Sequence, residues 1–90
     1  MQNKVLTSFS YRNDTKEGQV VYVEPWGRDY TLLPGQLLRV EAEGKGEIPH
    51  FDLQHSLGGF QLWCELTNAV DVFVDGAPVE CGYNRGRSPT

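Results

Sequence analysis

Five side chains of this sequence, His50, Asp52, His55, Cys64 and Cys81, are of the types that bind zinc. Zinc takes imidazole nitrogen, thiolate sulfur and carboxylate oxygen, and a structural site is usually announced by a compact pair such as C-x-x-C. No such pair occurs, and on a strand His50 and His55 would face opposite ways. No metal and no other cofactor is expected. Cys64 alternates with Leu62 and Leu66, which is the setting of a small buried apolar side chain.

A cysteine paired with a histidine base could also act as a nucleophile. Nothing in the spacing brings such a pair together. G-x-S-x-G and P-loop motifs are absent, and Gly44 and Gly46 are followed by Glu47-Ile48-Pro49 without the third glycine of a dinucleotide fingerprint. No catalytic residue is assigned, and the chain is expected not to be an enzyme.

The aromatic set Tyr22, Trp26, Tyr30 and Trp63 is more informative, since sugar-stacking platforms and protein hot spots both use Trp and Tyr. Trp26, Tyr30 and Trp63 are the candidate binding residues. Trp26 falls in a turn, and Trp63 shares a strand face with Gln61, Glu65 and Thr67. Packing within the fold competes for the same residues, because a small protein has few places to bury an indole.

The elements that must hold these residues read as strands. Val5, Thr7, Phe9 and Tyr11 alternate with Lys4, Leu6, Ser8 and Ser10, and a turn-forming run from Asn13 to Gly18 leads into Gln19 to Glu24. A hairpin is expected there. Asn13-Asp14-Thr15 matches a glycosylation acceptor but reads as part of that turn. Pro25 and Gly27 break the second strand at a corner, Tyr30 to Leu33 forms a third, and Pro34-Gly35 turns the chain again. Leu38, Val40 and Ala42 then alternate with Leu37, Arg39, Glu41 and Glu43, giving one apolar and one mostly charged face.

Gly44-Lys45-Gly46-Glu47 reads as a mobile loop. Ile48 to Leu57 fits either a short helix opened by Pro49 or a strand. The strand is favoured because Gly58-Gly59 would close a hairpin into Phe60 to Thr67. Val70, Val72 and Val74 run into Asp75-Gly76, a strong hairpin signal, with Ala77 to Glu80 returning. Residues 1–80 are thus expected to form one all-β domain, a single antiparallel β-sandwich or small barrel of about seven short strands. Residues 81–90 lack periodicity and are expected to fray.

Glu24-Pro25-Trp26-Gly27, then Tyr30 and Leu32 with Pro34-Gly35, then Val72-Phe73-Val74-Asp75-Gly76 form a pattern of EPWG, L-x-PG and V-F-x-D-G. In this the chain resembles a group of small uncharacterised bacterial β-rich proteins. The resemblance covers about half the chain and implies a bacterial β-rich fold, with no activity or site residue to carry over. The two cysteines and the C-terminal tail depart from it.

Net charge is −4, and residues 1–80 hold twelve acidic against six basic side chains. An acidic body does not suit a general nucleic-acid binder, which needs clustered Lys and Arg. The opening MQNKVLTSFSYRND has no apolar signal-like region, and no stretch approaches the ~20 apolar residues of a membrane span. A cytoplasmic location and reduced cysteines are expected, with neither nucleic acid nor membrane as partner. What remains is a sandwich working by protein contact, through self-association or as an accessory to another chain. A small-ligand or carbohydrate module using exposed aromatics is the alternative, and a metal- or thiol-dependent enzyme the second alternative.

Overall fold

The computed structural model describes residues 4–56 and 59–86. Eight strands run in chain order as β1 (Lys4–Arg12), β2 (Gln19–Glu24), β3 (Arg28–Leu32), β4 (Leu37–Lys45), β5 (His50–Ser56), β6 (Gly59–Glu65), β7 (Ala69–Val74) and β8 (Ala77–Pro78). They form two four-stranded sheets, ordered β1-β4-β7-β8 and β3-β2-β6-β5. The fold is the expected all-β sandwich.

Its core is what the alternation foretells. Leu38, Val40, Ala42, Val70, Val72 and Val74 from the first sheet are buried with Val21, Val23, Tyr30, Leu32, Leu62 and Cys64 from the second. Along one side Phe9 of β1 meets Phe51 of β5 with ring centroids 5.7 Å apart, and Tyr11 meets Phe60 edge-on at 4.9 Å. These contacts make β1 and β5 neighbouring edges of the two layers.

Several connections differ from the sequence reading. β1 does not form a hairpin with β2, because it pairs with β4 from Lys4↔Lys45 to Arg12↔Leu37, while β2 lies in the other sheet. The segment after β1 crosses between layers instead of reversing within one. β2 also runs parallel to β6, which makes the second sheet mixed and not purely antiparallel. That pairing brings backbones close at Gly59, where a Cβ would stand 2.1 Å from the Val20 carbonyl oxygen, so only glycine fits.

The expected glycine loop begins later than foreseen, because Gly44 and Lys45 continue β4 opposite Val5 and Lys4. The residues from His50 to Ser56 are strand and not helix, paired antiparallel with β6. Gly59 belongs to that ladder, while Leu57, the expected end of the strand, and Gly58, the first residue of the expected turn, lie outside the described residues. Asp75 and Gly76, at φ 51° and 84°, make the predicted two-residue turn between β7 and β8.

Asn13 organises the first crossover. Its side chain is fully buried, and its Nδ2 donates to the carbonyls of Leu32 and Glu17, both at 2.8 Å. Its Oδ1 accepts from the amide and hydroxyl of Thr15 at 3.0 and 2.7 Å. The backbone of Asn13 in turn bonds to Gln36 and Gly35. An Asn in a turn run is thus a buried hub holding together the ends of β1, β3 and β4, with no amide hydrogen left for a glycan.

Residues 81–86 of the expected frayed tail are hydrogen-bonded to β3. Gly82 donates its amide to Asp29, Thr31 donates to Tyr83, and Tyr83 bridges Tyr30 in parallel. Arg85 grips Asp29 with two nitrogens, Nε to Oδ2 at 2.9 Å and Nη2 to Oδ1. Residues 87–90 lie outside the described residues.

Candidate functional site

Side chains along β2, β6 and β5 alternate between the core and the outer face of the second sheet. Register fixes the outer set: Glu24 pairs with Trp63 and Tyr22 with Gln61, while His50, Asp52 and Gln54 stand opposite Glu65, Trp63 and Gln61. Tyr22 and Trp63 are 40% and 37% exposed, so this face presents two aromatic rings one diagonal step apart. Amides and carboxylates surround them.

The three candidate binding residues do not share this face. Trp63 lies at its centre. Tyr30 is only 2% exposed and belongs to the core, with its hydroxyl pKa raised by burial. Trp26 is partly buried against the core at the β2–β3 corner, with the Arg28 guanidinium 5.5 Å from its ring. Tyr22, part of the aromatic set but not one of the three candidates, lies one diagonal step from Trp63. Period-two counting from Val21 and Val23 inward carries the signal, since it turns Tyr22 outward.

The five zinc-type residues are likewise separated. His50 and Asp52 lie together, with His50 Nε2 3.5 Å from Asp52 Oδ1. His55 is on the opposite face of β5, its ring 4.8 Å from that of Phe60. Cys64 is buried, and desolvation pushes its thiol up to about 11, which leaves almost no thiolate at neutral pH. Cys81 is exposed near Asp29, with Sγ 3.7 Å from Oδ1.

Sequence reading missed Glu65 as a neighbour of His50. Turning the chain at Gly58-Gly59 would set His50 opposite Thr67, whereas the ladder from Ser56↔Gly59 sets it opposite Glu65. One potential ligand atom from each of His50, Asp52 and Glu65 lies within 4.8 Å of the others.

A shallow cleft of about 300 Å³ opens at the other side of the sandwich, lined by Arg28, Tyr30, Asp71, Glu80 and Cys81 among others. Among the described residues no helix is long and apolar enough to cross a membrane. No protein-family model, curated protein or solved structure matches the chain. Function must therefore be argued from the surface itself.

Proposed function

We propose that this protein works by protein contact and not by catalysis, and that its primary contact is strand pairing between two copies along the outer edge of β5. The carrying observation is the condition of that edge beside the others. β3 is capped by residues 82–83, and β8 is two residues long and includes Pro78. β1 ends on Arg12, a basic residue of the kind that guards a sheet edge.

β5 carries none of these protections. Its seven residues include no Lys, Arg or Pro, and its middle residue, Leu53, is 47% exposed. A two-fold pairing centred on Leu53 sets leucine against leucine, Asp52 against Gln54 and Phe51 against His55, with no like charges opposed. Ile48 and Leu66 lie exposed near one end of this edge, and together they offer apolar area for a partner to cover.

Sedimentation or light scattering across a concentration series tests this reading. Dimer is expected for the native chain, and monomer for Leu53→Lys with an unchanged circular dichroism spectrum. A native chain that stays monomeric at every concentration overturns it, and one that does so yet recovers a different protein partner through β5 would show a heterologous contact.

A second reading, a small carbohydrate-like ligand on the outer face, has its own support in the adjacent Tyr22 and Trp63 rings flanked by Gln54 and Gln61. Stacking on such rings is a recognised mode of sugar contact. Fluorescence titration of a Trp26→Phe variant with a glycan panel would report on Trp63 alone. No response across the panel removes this reading.

A further inference from the structure

We propose that His50, Asp52 and Glu65 form a binding site for one zinc ion on the outer face of the second sheet. This goes beyond the proposed contact function and does not rest on it, since Leu53 is no part of the site. His50 and Asp52 are two apart on β5 and so share a face, and Glu65 is the direct cross-strand partner of His50. Short-range strand geometry therefore delivers all three side chains to one point.

The distances suit the metal. Zinc bonds of about 2.0–2.2 Å to nitrogen and oxygen place tetrahedral ligand atoms ~3.4 Å apart. His50 Nε2 and Asp52 Oδ1 already stand at 3.5 Å, and the whole trio lies within 4.8 Å. All three residues are exposed, so rotation about side-chain bonds can close the remaining gap without moving the backbone.

The charge of this face also suits a cation, with Glu24 added to the two carboxylates of the cluster. β2, β5 and β6 contain no Lys or Arg, yet Glu24, Asp52 and Glu65 all lie on their outer face. Asp52 and Glu65 are diagonal neighbours of like charge, one from each of the His50↔Glu65 and Asp52↔Trp63 pairs. A divalent ion would neutralise both carboxylates.

Ligand type separates zinc from the hard cations. Calcium takes six to eight oxygen ligands and magnesium a near-octahedral set with retained water, whereas an imidazole with two carboxylates suits a borderline ion. Three protein ligands leave the fourth position open to water or to a group from another molecule. Trp63, opposite Asp52 in the ladder, lies on the same face.

Calorimetric titration of the purified full chain with Zn²⁺ alone tests the site. One ion per chain is expected, with affinity reduced at least tenfold in His50→Ala and at least fivefold in Glu65→Gln. Cys81→Ser should bind as the native chain does, and so should Leu53→Lys. Co²⁺ provides an optical check, because it should quench tryptophan emission in Trp26→Phe, where Trp63 is the only indole, and lose that effect when His50→Ala is added. Absence of saturable one-to-one binding overturns the proposal. So does native-like affinity in His50→Ala, or loss of binding in Cys81→Ser with retention in His50→Ala, which would place the ion at the thiol.

Discussion

The side-chain amide of Asn13 donates to the main-chain carbonyl of Leu32 across 2.8 Å, joining the end of β1 in one sheet to the end of β3 in the other. The bond is buried, and the same amide also satisfies Glu17. Asn13→Ala removes both donors together with the acceptor used by Thr15, leaving the Leu32 carbonyl without this partner in a place water reaches poorly. Each buried polar group so abandoned costs about 1–3 kcal/mol, so a loss of ~3 kcal/mol is expected in urea denaturation. Asn13→Asp should cost at least as much, because it turns a carboxylate toward two carbonyl oxygens.

Arg85 and Asp29 tie residues 81–86 to the edge of β3. The hydrogen bond from Arg85, aided by its charge, holds the Asp29 carboxyl below its usual pKa, with burial opposing. A folded-state pKa below the unfolded value means the contribution is complete above the ordinary aspartate range and disappears as pH falls through the lowered folded value. Arg85→Ala is expected to speed hydrogen exchange at the Gly82 and Thr31 amides at neutral pH. The native chain should show the same acceleration only in acid. The denaturation midpoint should move little, because the Arg85 side chain is largely at the surface.

Trp26 and Trp63 separate packing from display. Trp26 packs on the core at the Glu24 to Gly27 corner, so Trp26→Ala should cost ~2–3 kcal/mol, less than the 3–5 kcal/mol of a fully buried indole. Trp63→Ala on the outer face should cost about 1 kcal/mol or less. Chemical denaturation of the two variants ranks them. A larger loss for Trp63 would mean the outer face is a packing surface.

Thiol chemistry should divide the two cysteines. With its pKa near 11, roughly one Cys64 in a thousand is a thiolate at pH 8, and the side chain is buried as well. An aromatic disulfide reagent should therefore titrate one thiol, Cys81, in the native protein and the second only after denaturant is added. Loss of the native reaction in Cys81→Ser completes the assignment.

Strand positions and their inward faces were readable from sequence because they depend on a local period. Leu38, Val40 and Ala42, or Val70, Val72 and Val74, can bury themselves together only on an extended backbone, and Asp75-Gly76 supplies positive φ where the chain must reverse. The same counting set Trp63 on the strand face opposite Leu62 and Cys64, with Cys64 read as a buried apolar side chain.

Strand partners beyond the short hairpins were not readable, because such pairing is settled by burying two apolar faces against each other across long stretches of chain. That is why β1 leaves β2 for β4, why β2 accepts β6 in parallel, and why Tyr30 is core and not platform. Glu65 meets His50 only through the hairpin register, which a one-residue change in the turn would shift, and Asp29 meets Arg85 across more than fifty residues of sequence. The sequence alone determined an all-β chain and, strand by strand, which residues share a face. Tertiary structure decided which outer residues became neighbours, since neighbours on a sheet are chosen by strand order and register, and neither is a local property of the chain.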